Sequence, residues 1–222
     1  MKKCIVIVLL IFAGMLVFTG CSGSGQDEFQ EKNYTVDGKE IEEIKIDVRD
    51  RQIRVSLSDD DRIHIGYQES EKEFYHIAVT EGNVLTMSTQ NNKNWSDYIG
   101  GKPAASARVI TLQIPDDMIS ALTLSTTNED LRLPAIHMKD RISLTVNGGN
   151  IEFDGLDTGQ EISLNAKNGD ISGTILGSYD EYTIDCNIKK GKCNLPKQKE
   201  EGNKSLHVTN NNGDIAIEFK EE

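Results

Sequence analysis

A short polar turn of one type recurs through the C-terminal half of this chain of 222 residues. It reads TNED at 127–130, NGGN at 147–150 and NGD at both 168–170 and 212–214. The residue after each turn, taken together with Cys193, recurs at steps of 20, 20, 22 and 22 residues: Leu131, Ile151, Ile171, Cys193 and Ile215. A fixed period near 20 residues, with one supersecondary unit in each period, is typical of a solenoid.

Each unit reads as a strand, a polar turn, a second strand and a connector. In four units an apolar residue lies seven positions before the aligned one; in the unit of Cys193 we align Ile184, nine positions earlier. Apolar and polar residues alternate with period 2, which indicates strands with one buried and one solvated face. The sequence therefore predicts an all-β fold, a β-solenoid or β-roll of stacked short strands with almost no helix. A stack of antiparallel hairpins is the alternative, because NG is also the usual hairpin turn.

The recurring turn contains glycines that we interpret as structural: Gly148, Gly169 and Gly213. Each unit must bend sharply between its strands, and such bends need a positive φ, which glycine adopts at little cost. We expect a positive φ at Gly169 and Gly213. Stacked asparagines could also form hydrogen bonds from one unit to the next, and the candidates are Asn128, Asn150, Asn168 and Asn212.

The N-terminal half has a looser form of the same pattern. Ile46 and Ile53 flank a polar turn seven residues apart, and further alternating stretches surround EGN at 81–83 and precede LQIP. We predict one β-repeat domain over 34–222, irregular over 34–120 and regular over 121–219. The stretch 90–107 lacks periodicity and predicts a long loop, which is often functional. Trp95 and Tyr98 in this loop are candidate ligand contacts, since such residues anchor interfaces; alternatively, Trp95 covers the end of the sheet.

The N-terminus has the form of an export signal. Residues 1–20 combine a basic start, an apolar run and small residues, and Cys21 follows directly. This predicts a lipoprotein signal peptide, with lipid attached at Cys21 and a flexible tether over 21–33. The resulting protein would be extracytoplasmic and held on the bacterial membrane by its lipid. An ordinary transmembrane anchor is the alternative, but the apolar run is short for a span.

Charge and cysteine content agree with export. The net charge of −12 becomes −14 once Lys2 and Lys3 are removed, which argues against nucleic acid as a partner. Cys4 leaves with the signal, so Cys186 and Cys193 remain as a pair in a compartment that permits disulfides. They flank one turn and form a candidate disulfide with both side chains inward; buried free thiols are the alternative.

Signatures of catalysis are scarce. The sequence has no common nucleophile, phosphate-binding or zinc-protease motif, and we predict no catalytic residue, no metal site and no cofactor. The four histidines are separated from one another and are interpreted as surface residues. A carbohydrate-active enzyme on a small β-helix is the alternative, and would use carboxylates gathered on one face, with these candidates: Asp154, Asp157, Asp170 and Asp214.

The stretch VITLQIP at 109–115, followed by ISLTVNGGNIEF and ISLNAKNGDISG, resembles the bacterial β-strand-repeat domains catalogued as "putative adhesin" domains of unknown function. The resemblance covers about residues 40–219. It implies a solenoid-like fold outside the cytoplasmic membrane and provides no catalytic residues to transfer. We therefore expect a lipid-anchored, non-catalytic binding or scaffolding module of the cell envelope, whose partner beyond the membrane is an envelope polysaccharide or another envelope protein.

Overall fold

The structure is a computed structural model and describes residues 28–94 and 102–221. Over these residues the chain is almost entirely β-strand, as the sequence predicts, and its helical elements are short 3₁₀ turns. The strands are β1 (Gln30–Asp37), β2 (Glu43–Asp47), β3 (Gln52–Leu57), β4 (Arg62–Glu69), β5 (Glu73–Thr80), β6 (Val84–Asn91), β7 (Val109–Ile114), β8 (Ala121–Thr126), β9 (Leu131–Met138), β10 (Arg141–Val146), β11 (Ile151–Thr158), β12 (Glu161–Asn168), β13 (Ile171–Leu176), β14 (Tyr182–Lys190), β15 (Gln198–Lys199), β16 (Lys204–Asn212) and β17 (Ile215–Lys220). The 3₁₀ turns are Gly38–Glu40, Ala105–Arg108 and Tyr179–Glu181.

Two sheets enclose one core. Sheet A has the strand order β1-β4-β7-β3-β9-β11-β13-β17, and sheet B has the order β15-β14-β16-β12-β10-β8-β2-β6-β5. Each regular unit gives its first strand to sheet B and its second strand to sheet A, so the unit is one rung that joins the sheets through its polar turn. We call the side with these turns the turn face and the opposite side, where successive rungs are joined, the connector face.

Neighbouring rungs pair in parallel, which confirms the solenoid and excludes the stacked hairpins for the regular part. Ile151 pairs with Leu131 on one side and with Ile171 on the other, so the aligned residues form one column in sheet A. Leu144 stacks in the same way between Leu124 and Leu164 in sheet B. These side chains are almost completely buried, because inward residues of both sheets recur with period 2 and meet in the shared core.

The rungs do not stack in sequence order at the C-terminal end. The last unit, β16–β17, lies between β12–β13 and the unit of Cys193, so Ile171 pairs with Ile215, and Cys193 forms an isolated bridge on the outer side of Ile215. Cys186 pairs with Val208. The register expected from Ile184 is therefore wrong. Cys186 belongs to the column of Leu144, and it precedes Cys193 by the usual seven residues. Because the register is shifted by two residues, the side chain of Cys186 still points inward.

The N-terminal end is closed by antiparallel strands. β4 pairs with β7 and β1, while β5 forms a hairpin with β6 across Glu81, Gly82 and Asn83. β1 starts at Gln30, so residues 30–33, which we expected in the tether, belong to sheet A; the pairing with β4 that orders them is not visible in their polar composition. In the described part of the chain, no helix is long and apolar enough to cross a bilayer.

Candidate functional site

The turn face carries a column of glycines. Gly149, Gly169, Gly213 and Gly191 have φ values of 129°, 137°, 140° and 129°, in the region that side chains with a β-carbon avoid. A β-carbon at Gly169 would lie 2.6 Å from the carbonyl carbon of Gly149. A β-carbon at Gly213 would lie at the same distance from the carbonyl carbon of Gly169. In the NGGN turn the positive φ falls on Gly149 and not on Gly148. Glycine is required here by both conformation and the close approach of successive rungs.

Carboxylate and amide oxygens form a second column beside the glycines. The backbone N–H of Asp170 donates to Asn150 Oδ1 at 2.9 Å, and that of Asp214 donates to Asp170 Oδ1 at 2.8 Å. In the same way the backbone N–H of Asn150 donates to Asp130 Oδ1, and that of Lys192 donates to Asp214 Oδ1. These side chains satisfy backbone donors that the bend would leave without partners.

The expected asparagine column is only partly formed. Asn212 Nδ2 donates to Asn168 Oδ1 at 2.8 Å, and Asn168 Nδ2 donates to the carbonyl oxygen of Asn147 at 3.2 Å. Asn150 belongs to the neighbouring carboxylate column, and Asn128 donates to Asp50 instead. Asn150 stands directly before Ile151, where NGD has its aspartate, and so joins the carboxylate column. Asn128 has the same position in its turn as Asn168, but the next rung has Gly148 there, which offers no side chain to bind.

A long loop replaces the turn of the rung formed by β6 and β7. It spans residues 92–108, close to the predicted 90–107, and leaves the turn face at the N-terminal end of the stack. Trp95 and Tyr98, the candidate ligand contacts, lie outside the described residues. The described parts of the loop show that both of its ends are attached to the stack.

The first end of the loop is attached to a buried ionic network. The N–H of Asn92 donates to the carbonyl oxygen of Lys72 at 3.0 Å, and Lys93 Nζ lies 2.5 Å from Glu73 Oε1. Arg51 Nη2 binds the other oxygen of Glu73 at 2.7 Å, and Arg51 Nε donates to the hydroxyl of Tyr75 at 2.7 Å. The Arg51 side chain is 1% exposed and that of Glu73 is 12% exposed, so these charges are shielded from solvent and hold one another in place.

Electrostatics keep the network ionised. Burial alone would raise the pKa of Glu73, but the hydrogen bonds from Lys93 and Arg51 outweigh it and hold that pKa below its ordinary value. Burial likewise opposes the charge of Arg51, yet Tyr75 and Glu73 together raise the Arg51 pKa. A buried carboxylate with two cationic partners is a fixed structural anchor.

The second end of the loop is attached to the next rungs through Glu129. Arg108 forms an ion pair with Glu129, and Lys102 Nζ lies 3.6 Å from the same carboxylate. Arg108 Nε also donates to the carbonyl oxygen of Pro103 at 3.1 Å. The insertion therefore starts and ends on rigid strands, an arrangement typical of binding loops on a scaffold.

The four carboxylates considered for glycoside hydrolysis do not gather around one cleft in the structure. Asp170 and Asp214 belong to the turn-face column, Asp154 lies exposed along β11, and Asp157 lies at the C-terminal end of that strand. Asp157 Oδ2 is 2.5 Å from His137 Nδ1, and its other oxygen is 3.2 Å from Lys204 Nζ. Within the described residues no group of three or more His, Cys, Asp or Glu side chains could hold a metal ion.

A shallow groove of about 400 Å³ crosses the connector face at the starts of β2, β8, β10 and β12. Two of its carboxylates have local partners: Glu43 contacts Lys45 at 2.9 Å and Arg141 at 3.2 Å, and Glu42 accepts from Ser120 Oγ at 3.0 Å. The groove is open and polar, so it lacks the enclosed apolar surface of a small-molecule site.

The cysteine pair lies at the C-terminal end of the stack. The Sγ atoms of Cys186 and Cys193 are 3.3 Å apart, Cys186 is buried and Cys193 is half-buried. Burial, followed by the hydrogen bond with Cys193, raises the pKa of the Cys186 thiol to about 12. The two side chains therefore meet across the turn that they flank in the sequence.

Nothing in the sequence indicates the Arg51 network. An arginine in the polar turn VRDRQ reads as solvent-exposed, and only the tertiary position of Glu73 at the start of β5 explains its burial. The lipid-attachment residue Cys21 lies outside the described residues, like Trp95 and Tyr98.

Comparison with known families gives one match. The family model described as Toastrack DUF4097 matches residues 41–222, which is most of the chain and all of the regular rungs. Comparison with curated proteins finds no match.

Two bacterial crystal structures are among the solved structures that this chain resembles. A crystal structure described as a putative cell adhesion protein from Clostridium sporogenes ATCC 15579 is 12% identical, covers 88% of this chain and 100% of its own, and has a TM-score of 0.58. A putative adhesin from Bacteroides fragilis NCTC 9343 is 13% identical over 88% of this chain and 98% of its own, with a TM-score of 0.36. At these identities the first likeness establishes the fold alone.

Proposed function

We propose, from the premise that this chain belongs to the Toastrack DUF4097 family, that it is an exported, lipid-anchored, non-catalytic binding or scaffolding module of the bacterial cell envelope. Its ligand-contacting element is the loop 92–108. The observation that carries this proposal is the attachment of the loop at both ends, by Lys93 to Glu73 and by Arg108 to Glu129. A rigid base lowers the entropy that a binding loop loses when its ligand binds.

The similarity to a protein described as a putative cell adhesion protein supports a binding role. An adhesin-like module needs a stable scaffold and an exposed contact segment, and it needs no converging acid, base and pocket. The two-sheet stack is such a scaffold, and Trp95 and Tyr98 are the residues of the loop best suited to stack on a sugar ring or fill a protein pocket.

The anchor at Cys21 would place the stack near the membrane. β1 begins at Gln30, so residues 22–29 span at most about 28 Å between the lipid and the sheet. Gln30 pairs with Glu69, next to the turn that carries Lys72 and Glu73, so the anchored terminus and the base of the loop lie at the same end of the molecule. The partner is therefore an envelope polysaccharide or another envelope protein within reach of the membrane surface.

A binding measurement with loop variants tests the proposal. The chain without residues 1–21, which keeps every described residue, is titrated against purified envelope polysaccharides and against immobilised envelope proteins. We expect saturable binding without turnover, and a loss of about tenfold or more in the W95A/Y98A double variant. Tyr179→Ala is the matched control, because Tyr179 is also exposed, at 40%, but lies at the opposite end of the stack.

Two results would overturn the proposal. Equal binding by the loop double variant would remove the loop from the interface. Release of sugar fragments that is lost in Asp157→Asn would make the protein a carbohydrate-active enzyme.

A further inference from the structure

The described stack has sheet edges at both ends, and most of them are protected from pairing with another chain. Edge strands attract foreign strands unless charges, proline or a covering segment prevent it. At the C-terminal end, β15 covers β14, and Asn194 covers β17 by exchanging side-chain hydrogen bonds with Ile217 at 2.7 and 3.0 Å. At the N-terminal end, β1 carries charged residues in its sequence QEKNYTVD.

β5 is the exception among these edges. It pairs with β6 alone among the described strands, so its other edge presents backbone N–H and C=O groups. From His76 to Thr80 its sequence HIAVT has no acidic residue, lysine, arginine, proline or glycine. Ile77 and Val79 pair with the buried residues Met87 and Leu85 and so face inward, yet Val79 is 43% exposed.

The two sheets differ in length at this end. β4 and β5 form the last complete rung, but sheet A continues by one more strand, β1, while sheet B stops at β5. Tyr34 and Val36 of β1 pair with the buried Ile65 and Ile63 and therefore face the same interior. They are only half-buried, because no described strand lies opposite them. The position beside β5 and beneath β1 is therefore one strand wide in the strand order of the two sheets.

A second copy of the chain does not fit this position. An antiparallel β5–β5 pair related by a twofold axis would keep both A sheets on the same side of the joined B sheets. The β1 of each copy would then occupy the place of the other copy's β4, because sheet A is one strand longer than sheet B. The overhang of β1 admits a single added strand and excludes a symmetric dimer of this kind.

Charge favours a basic partner. The connector-face end of this position is surrounded by acidic residues of the turns around β1, β4 and β5, with two basic residues among them: Asp37, Lys39, Glu40, Asp59, Asp60, Asp61, Arg62 and Glu81. Lys39 is already paired with Asp61 at 2.8 Å. A strand that ends in lysine or arginine at this side gains attraction that an acidic one lacks.

We propose that the free edge of β5 accepts one extended strand from a partner protein, with apolar side chains at alternate positions and a basic end. The strand extends sheet B, and its apolar side chains cover Tyr34, Val36 and Val79. This is recognition by strand addition, in which main-chain hydrogen bonds provide affinity and alternate side chains provide specificity. Residues 76–80 of this edge lie toward the opposite end of β5 from Glu73, which anchors the loop 92–108, and the proposal does not depend on the ligand of that loop.

A peptide titration followed by NMR tests this proposal. The probe is an octapeptide of alternating valine and threonine that ends in two lysines, added to the isotope-labelled chain without residues 1–21. We expect saturable shifts and slowed amide exchange confined to residues 73–80 and their neighbours in β1. The same peptide ending in two glutamates should bind more weakly, and one with proline at alternate positions should not bind, because proline lacks the N–H that the pairing needs.

Val79→Lys should weaken peptide binding by about tenfold or more, because an inward-pointing charge on an edge strand opposes pairing. Leu57→Lys is the matched control, since Leu57 is 41% exposed at the end of a different strand, and it should bind like the unchanged chain. Binding of the loop ligand should be the same in both variants, which separates this proposal from the proposed function.

Three outcomes would overturn the inference. Shifts at residues 215–220 instead of 73–80 would place strand addition at the other end. Slow exchange of all β5 amides before peptide is added would mean that the chain itself already covers this edge. A dimer that Val79→Lys dissociates would make a second copy the occupant.

Discussion

Replacing Gly169 by alanine should destabilise the stack by about 2–5 kcal/mol, and the structure separates this cost into two parts. Gly169 has φ 137°, and forcing a residue with a β-carbon into such a conformation costs about 1–2 kcal/mol. The new β-carbon would also lie 2.6 Å from the carbonyl carbon of Gly149, where ordinary contacts are 3.4–4 Å. Neighbouring rungs must move apart to remove this close contact, and overpacking of this kind costs about 1–3 kcal/mol.

Two other glycines provide matched controls for these parts. Gly82 has φ 82°, but a β-carbon added there would have no atom within 4 Å, so Gly82→Ala measures the cost of a positive φ without a close contact, about 1–2 kcal/mol. Gly148 lies in the recurring turn without a positive φ, and its nearest contact would be 3.4 Å. Gly148→Ala should therefore change stability by about 0.5 kcal/mol or less.

Urea unfolding followed by circular dichroism measures all three variants under one condition. We expect the order Gly169→Ala, Gly82→Ala, Gly148→Ala, from the largest loss of unfolding free energy to the smallest, with similar dependence on urea concentration. A loss in Gly169→Ala no greater than that in Gly82→Ala would refute the steric argument. A large loss in Gly148→Ala would mean that the turn needs glycine for a reason other than φ or close approach.

Two further predictions concern the loop anchor and the N-terminus. Because Lys93 and Arg51 hold the pKa of Glu73 below its ordinary 4.5 despite burial, its ionised form stabilises the fold above that pH, and the contribution is lost as pH falls through the lowered value. Glu73→Gln should reduce the unfolding free energy at pH 7 by about 3 kcal/mol, and this free energy should then decline less steeply below pH 4.5 than in the unchanged chain. Urea unfolding across pH measures both effects. A steeper decline in the variant would contradict the role given to the Glu73 carboxylate. Cys21→Ser should abolish lipid labelling and leave either precursor or released protein in membrane fractionation, whereas a processed variant that stays on the membrane would exclude the lipoprotein signal.

Much of the stack follows from the sequence because each rung repeats the same local requirements. Inward apolar residues at period 2 and a turn with positive φ are properties of single units, so columns such as Leu131, Ile151 and Ile171 can be aligned before any contact is known. The predicted loop at 90–107 follows from the loss of that period. Local pattern is sufficient for these features because neighbouring rungs meet through equivalent residues.

Features that depend on which rungs are neighbours could not be predicted. Any regular unit presents the same apolar columns to its neighbour. The repeat pattern therefore does not reveal that β16–β17 lies between β12–β13 and the unit that contains β14. The burial of Arg51 depends in the same way on β4 returning the chain to the turn face, where β5 begins with Glu73 beside Arg51. Both result from connections that reverse or skip a position, where the period carries no information.

The register of the repeat is enough to bring the two cysteines of the last rung together, and a disulfide between them is the last prediction. Cys186 and Cys193 occupy the apolar positions seven apart that Leu144 and Ile151 occupy in another rung, and their Sγ atoms are 3.3 Å apart. Little backbone movement is needed to join them. Given the proposed export, we expect a disulfide here, formed as a thiol oxidant of the envelope removes two electrons and two protons.

The bond should form slowly without a catalyst and add about 2–3 kcal/mol of stability, the value for so short a loop. Burial raises the pKa of Cys186 to about 12, so its thiolate, the reactive form in exchange, is scarce at neutral pH. Protein isolated from the envelope is alkylated in denaturant without reductant and weighed by mass spectrometry, with Cys193→Ser as the control. Protection of both cysteines, together with a lower urea midpoint after reduction, is the expected result. Complete alkylation of both would show that the pair remains as thiols and serves only to fill the end of the core, as small apolar residues do.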